Sequence, residues 1–326
     1  MATLVNVAEC AGVSVTTISR MLNNRVKISE KTRNKIMAAM KELDYYPNEI
    51  AQSLTKKKSN MIGLIVPSAK NFFFSQVIEY TESYAVQKGY KLLLCISNHE
   101  TAKEIEYFSM LKANKVAGII IASRTQNLQN YLNIDSPLIS IDRIISPNIP
   151  SICSDNYHGG VLAARHLIGK GCNSLAYISG SSDLEFEANK RFLGFSDACL
   201  SHKVPLPLFF DATEERFFSM DYQEIVARLF ETTPKVDGIF TSNDIIAAQI
   251  IQYCKKHSIQ IPEDVKLIGY DDTDLASLCT PSISTIHQPI EAICSNAVEG
   301  IYQYSSTGIP PENLVLPVCF IERETT

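Results

Sequence analysis

The chain has 326 residues, which at roughly 100–200 residues per domain predicts two or three folded units. Hydrophobic residues make up 45% and charged residues 20%, a balance that supports sizeable cores and excludes a disordered chain or a small disulfide-stapled scaffold. The net charge of −5 hides a split: residues 1–60 carry ten Lys/Arg against five Asp/Glu, and the remainder carries twenty against thirty. A basic head on an acidic body is the pattern of a polyanion-binding module, because only the head gains by releasing counterions; a chance surface imbalance gives the same count.

The apolar runs around Met61 to Val66 and Val116 to Ala122 fall far short of the roughly 20 residues that span a bilayer. Met1 leads into a polar, helix-forming segment rather than a signal peptide, so a cytoplasmic location without a membrane partner is expected. Nine scattered cysteines with no C-x-x-C pair predict reduced, mostly buried thiols.

In the head, Leu4, Val7, Ala8, Ala11, Val13, Ile18, Met21 and Leu22 recur at three- and four-residue spacings, interrupted by Gly12 and Ser14. This predicts two short helices with Gly12 in the turn and Ser14 capping the second. A third helix follows, with Ser29 and Thr32 near its start, Ile36, Ala39, Met40 and Leu43 on its apolar face, and Pro47 as its stop. Such a trio is either an ordinary three-helix bundle or a helix-turn-helix whose second helix lies in a DNA major groove. Asn48 to Thr55 is a further potential helix, too short to persist alone in water.

From residue 60 onward strand-like runs alternate with helical stretches. Met61 to Val66, Lys91 to Ile96, Val116 to Ile121 and Leu138 to Ile141 read as strands, with helices over Ser75 to Lys88 and Lys103 to Ala113. The rhythm restarts with Ser174 to Ser179, Val236 to Thr241 and Val265 to Tyr270. Two α/β units with parallel sheets are predicted, with a ligand cleft outside the carboxyl ends of the strands; no sequence repeat relates them. No phosphate-binding loop, dinucleotide turn, nucleophile elbow or zinc-protease helix occurs, and the six histidines are dispersed, so neither catalysis, a metal nor a cofactor is expected.

Particular residues go further than residue type. Thr3-Leu4-Val5-Asn6-Val7-Ala8, Ala11-Gly12-Val13-Ser14, Thr17 to Asn23 and Tyr46-Pro47-Asn48 together resemble the N-terminal pattern of the lactose-repressor (LacI/GalR) family of bacterial regulators. Asn6 stands where that family usually has Asp, and Gln52 where Arg is commoner. Asp155 to Gly160, Arg191 to Phe195, Ser242-Asn243-Asp244, Ile261 to Asp264, Gly269 to Asp272 and Pro281 to Gln288 extend the resemblance through the body.

The resemblance implies an all-α helix-turn-helix head at 1–46, a hinge helix and linker at 47–59, and an effector-binding, dimerising body at 60–326. The body would be similar to periplasmic sugar-binding proteins, with an N-subdomain at about 60–156 and 287–315 and a C-subdomain at about 157–286 and 316–326. Val15, Thr16 and Arg20 would meet base edges, chemistry that suits them, since Arg20 can bridge guanine O6 and N7. Ser14, Thr17, Ser19 and Asn23 would contact phosphates, Leu54 would be the hinge wedge in the minor groove, and Lys56 to Lys58 would lie along the backbone. For the effector the matching positions are Phe73, Phe74, Asp142, Arg191, Asn243, Asp271 and Gln288, a set of aromatic faces, carboxylates, amides and one guanidinium suited to a polyhydroxyl ligand. Phe72 replaces the usual proline, which puts the local turn in question. The bland alternatives are that Asn243 caps a helix, that Asp271 and Asp272 cap loops, and that Arg191 is a surface ion pair.

The expected function is a repressor of a carbohydrate-utilisation operon that binds a pseudo-palindromic double-stranded operator as a homodimer and answers to a sugar or sugar phosphate. A purine-controlled or carrier-protein-controlled regulator and, more distantly, a solute-binding protein are the alternatives. No apolar heptad follows Ile321, so a dimer is expected, with contacts on the stretches Phe74 to Tyr84 and Ala247 to Tyr253.

Overall fold

Thr3 opens the chain's first helix by a reciprocal cap. Its hydroxyl accepts from the Asn6 amide at 3.3 Å while Asn6 Oδ1 accepts from the Thr3 amide at 2.9 Å, so Asn6 completes a capping box in its own right. The computed structural model describes residues 2–22, 28–46, 59–123, 136–180, 186–233 and 235–326. Helix α1 (Leu4–Ala11) ends at Gly12, whose φ of 63° supplies the left-handed turn. Helix α2 (Val15–Leu22) starts where Ser14 Oγ accepts from the Thr17 amide at 3.1 Å, and α3 (Glu30–Glu42) is capped by Ser29. Val7, Ala8, Ile18, Met21, Ile36 and Met40 close a core of their own, and the chain divides into compact units Met1–Asn60 and Met61–Thr326. Pro47, the potential helix Asn48 to Thr55 with Gln52 and Leu54, and Lys56 to Lys58 lie outside the described residues, as does Asn23.

The second unit holds two six-stranded sheets. The first runs β11-β5-β4-β3-β1-β2, all parallel, from β1 (Met61–Val66), β2 (Lys91–Ile96), β3 (Gly118–Ile121), β4 (Leu138–Ile141), β5 (Ser151–Ser154) and β11 (Leu314–Leu316). The second runs β12-β10-β9-β8-β6-β7, from β6 (Leu175–Ser179), β7 (Leu208–Asp211), β8 (Gly238–Thr241), β9 (Lys266–Asp271), β10 (Ser284–His287) and β12 (Cys319–Ile321), with only β12 antiparallel. The chain passes between the sheets after β5, after β10 and after β11. Strands such as Gly-Ile-Ile-Ile of β3 are buried throughout, which is why they read as unbroken apolar runs rather than alternations.

Helices α4 (Phe72–Gln87) and α5 (Thr101–Ala113) cover the first sheet, joined by α12 (Ile290–Thr307), which packs on α4, β3 and β4. Around the second sheet lie α6 (Asn156–Gly169), α7 (Lys190–Ser201), α8 (Glu214–Ser219), α9 (Gln223–Thr232), α10 (Asp244–Lys256) and α11 (Asp274–Leu278). Helix α4 begins a turn before the predicted Ser75 because Asn71 Oδ1 accepts from the Phe73 amide at 3.0 Å. Phe72 thus occupies the first helical position, where the missing N–H of a proline is tolerated but not required.

The packing alters one expectation, the dimer contact over Ala247 to Tyr253, and adds detail to two others. Ala247 and Ile250 are fully buried and Ala248 and Ile251 nearly so, so the Ala247 to Tyr253 stretch is core and offers little surface to a partner. The polar tail after Ile321 is docked: Thr325 is buried, donating from its hydroxyl to Leu267 O at 2.7 Å while its carbonyl accepts from the Leu267 amide. The thiols are uneven, six of the nine being buried while Cys10 and Cys319 are exposed and Cys279 is intermediate; burial pushes those of Cys153 and Cys254 up to about 12.

Candidate functional site

On the head, Val15, Thr16, Ser19 and Arg20 line one shallow depression on α2. Val15, Thr16 and Arg20 are exposed, Ser19 is half-buried, and Ile18 and Met21 on the opposite side hold the helix to the core. Ser14 and Thr17 sit at the helix start with their hydroxyls 2.8 Å apart. The three predicted base readers therefore share a face, and two of the predicted phosphate contacts are engaged in the cap.

In the body, one cavity lies between the two sheets at the carboxyl ends of their strands, and all seven predicted effector residues line it. Phe73 and Phe74 come from the first turn of α4, with ring centroids 5.2 Å apart in an edge-to-face pair. Asp142 directly follows β4, Asp271 ends β9, Asn243 follows β8 at the head of α10, and Gln288 follows β10 on a crossover. The aspartates have φ of 53° and 106°; the second lies in a region that costs a non-glycine residue about 1–3 kcal/mol and is found at binding sites.

Arg191 is at the centre and is 5% exposed, which rules out a surface ion pair. Its Nε donates to Asn156 Oδ1 at 2.7 Å and its Nη1 to the Ser242 carbonyl. Asp142 Oδ2 lies 4.0 Å from Nη2 and Asp271 Oδ1 3.9 Å from Nη1, while the Tyr270 ring sits 3.6 Å beneath the guanidinium. Burial works against its charge, but Tyr270, Asp271 and Asp142 outweigh it and hold its pKa above the ordinary arginine value. Burial pushes the Asp271 carboxyl well up, against the opposing pull of Arg191.

Glycines bring Arg191 to this place. A Cβ on Gly160 would stand 2.0 Å from the Arg191 carbonyl oxygen, and one on Gly194 would stand 1.9 Å from that of Tyr157. Helices α6 and α7 approach backbone to backbone at these two positions, which explains glycines in both motifs that carry the resemblance.

Asn243 does cap its helix, since Oδ1 accepts from the Ile246 amide at 3.0 Å, and that leaves Nδ2 for a ligand. Gln288 spans the crossover: its Oε1 accepts from Ser154 Oγ at 2.8 Å and its Nε2 donates to Asp271 Oδ1. Asp272 turns away from the cavity to accept from Arg323 Nη2 at 2.6 Å and to pair with His287 Nδ1 at 2.9 Å, fixing the C-terminal tail.

Sequence reasoning missed Asn156, which is 2% exposed. Its Nδ2 donates to Asp142 Oδ1 at 3.3 Å and to the Ser154 carbonyl at 3.1 Å, and its Oδ1 accepts from Arg191 and from the Tyr270 hydroxyl at 3.3 Å. Every bonding position of the amide is used, linking a carboxylate of the first subdomain to the guanidinium of the second. Its signal was its place beside Asp155 in a recognised motif. Phe186 and Phe217 also line the cavity and carried no such signal.

Residues 3–48 match the bacterial regulatory proteins of the lacI family, and residues 164–326 match the periplasmic binding protein-like domain. The sucrose operon repressor of Streptococcus mutans serotype c (strain ATCC 700610 / UA159) is 36% identical over all of this chain and 99% of its own length. Among solved structures, a periplasmic binding protein/LacI transcriptional regulator from Alkaliphilus metalliredigens QYMF complexed with D-xylulofuranose is 36% identical, with TM-score 0.72 over 82% of this chain and 99% of that one. The Lac repressor dimer bound to operator and the anti-inducer ONPF is 26% identical, with TM-score 0.84 over 100% and 99%.

Proposed function

Because the chain belongs to the lacI family of bacterial regulatory proteins, we propose that it is a sequence-specific DNA-binding transcriptional repressor of a carbohydrate-utilisation operon, controlled by a small sugar effector. The observation that carries the effector half is the convergence of Arg191, Asp142, Asp271, Asn243 and Gln288 with the Phe73 and Phe74 rings on one cavity between the two sheets. Rings present flat apolar faces to the C–H side of a sugar, while the polar groups answer its hydroxyls. Effector binding then selects between arrangements of the two subdomains, which the Asn156 and Gln288 bridges connect.

Val15, Thr16 and Arg20 read base edges, Ser14, Thr17, Ser19 and Asn23 serve phosphates, and Leu54 wedges the minor groove. The protein acts as a homodimer on a pseudo-palindromic operator, as the dimeric Lac repressor on its operator supports, and the Phe74 to Tyr84 stretch of α4 offers half-exposed side chains for the contact. Acting on DNA places it in the cytoplasm, and its chemistry is binding rather than catalysis. No described helix is long and apolar enough to cross a membrane.

A thermal-shift screen of sucrose, D-ribose, D-fructose, hypoxanthine and guanine, followed by an operator gel shift with whichever ligand stabilises the protein, tests this reading. A sugar that raises Tm and changes operator occupancy supports it; a response to a nucleobase alone moves the control to purines, and binding to random DNA as tight as to any palindrome removes the repressor reading.

A further inference from the structure

The charges already inside the cleft define the charge of its occupant. Arg191 is the single cation among the described residues that line the cavity, and it is answered from both sides by Asp142 at 4.0 Å and Asp271 at 3.9 Å. Its Nε and one Nη1 proton are engaged by Asn156 and the Ser242 carbonyl. Behind Asp271 stands a further acid: Asp244 is 1% exposed, held by the hydroxyls of Thr285 at 2.7 Å and Thr273 at 3.3 Å.

We propose that the effector is an uncharged, unphosphorylated sugar, and that Asp142 and Asp271 are the residues that reject its phosphate esters. The proposal rests on the carbohydrate reading above and narrows it. A free hydroxyl both donates and accepts, so a sugar donates to the two carboxylates while accepting from Arg191 Nη2 and Asn243 Nδ2. The phosphate group of an ester, as the dianion, only accepts. To reach Arg191 it must lie beside two acids, Asp142 Oδ2 at 4.0 Å from Nη2 and Asp271 Oδ1 at 3.9 Å from Nη1, at close range in a poorly screened site. Juxtaposed like charge is a repulsive element that discriminates against the ester beyond what hydroxyl contacts select.

Isothermal titration of the full-length protein with D-ribose, D-fructose and sucrose, each beside ribose 5-phosphate, fructose 6-phosphate and sucrose 6-phosphate, tests the point. The ester of whichever sugar binds is expected to bind at least about ten-fold more weakly than the free sugar. Asp142→Asn, at a half-buried position that tolerates an amide, is expected to shrink that ratio several-fold, and Asp271→Asn repeats the test on the other wall, with operator gel shifts showing that each variant is folded. An ester that binds as tightly as its sugar overturns the proposal, as does a ratio unchanged in both variants. Failure of every sugar and ester to bind has a different meaning: it removes the carbohydrate reading itself, and this proposal with it.

Discussion

In the first sheet of the body the fourth strand delivers Asp142 to the cleft, and in the second sheet the fourth strand delivers Asp271. Each sheet begins with the same strand order, second-first-third-fourth-fifth, and each aspartate has a positive φ and approaches the same guanidinium. Their surroundings differ. The Asp142 side chain keeps 20% of its surface and takes the Asn156 amide, whereas Asp271 keeps 11% and is bound through both its carboxylate and its backbone carbonyl by Gln288. Arg191 itself rises from a helix of the second half. Topological equivalence therefore does not confer equal roles: the second wall carries the guanidinium and the more buried acid, while the first is joined to it by the Asn156 and Gln288 amides.

The harshest way to break this comparison is to remove the partner that both aspartates share. Arg191→Ala is expected to cost about 3–5 kcal/mol in urea unfolding, because it strands buried acids, and to abolish the effector response in titration while operator binding persists. A cost within about 1 kcal/mol would show that the two walls do not depend on it.

The second half also holds Asp244, whose carboxyl burial raises to about 7, ahead of the opposing hydrogen bonds from Thr285 and Thr273. The folded value exceeds the unfolded one near 3.8, so stability is fully present in acid and is lost as pH rises from about 4 to about 7. Asp244→Asn should flatten that part of the stability–pH profile, measured by chemical denaturation from pH 4 to 8, and a variant profile parallel to the wild type would reassign the dependence.

A sharper, smaller contrast is the pair of truncations. Asp271→Ala leaves Gln288 Nε2 unpaired in a buried site and should cost about 1–3 kcal/mol, whereas Asp142→Ala, at a more exposed carboxylate that takes only a 3.3 Å bond from an Asn156 amide also bound to the Ser154 carbonyl, should cost about 1 kcal/mol while still weakening effector binding; equal costs would make the two walls equivalent. The gentlest test belongs to the first half alone. Phe72→Pro is expected to be neutral or to stabilise by about 0.4–1 kcal/mol, since proline is compatible with the first position of α4; a loss of Tm would mean that the Phe72 ring or its N–H is in use.

Much of this was legible in the chain. The three head helices follow from apolar spacing and from caps at Thr3, Ser14 and Ser29, all local in sequence. The strands β1 and β4 matched their predicted limits because buried parallel strands are written as short apolar runs, and the apolar run of β2 matched too although it is a partly exposed edge strand. The restart of the strand–helix rhythm was legible but the strand order the two sheets share was not, since a buried parallel sheet asks only for apolar residues of suitable shape and two sheets can meet that demand with unrelated sequences.

What the sequence by itself determined is therefore the local order of elements and, through motif resemblance, the seven side chains offered to the cleft. Tertiary structure alone decided which of them touch, that Asn156 joins Asp142 to Arg191 across the subdomains, and that Ala247 to Tyr253 is core while the final residues are docked. Asn156 meets partners 14, 35 and 114 residues away. Whether an amide is a solvated helix residue or a buried bridge depends on burial and on partners supplied by other elements, and neither is written within a few residues of it.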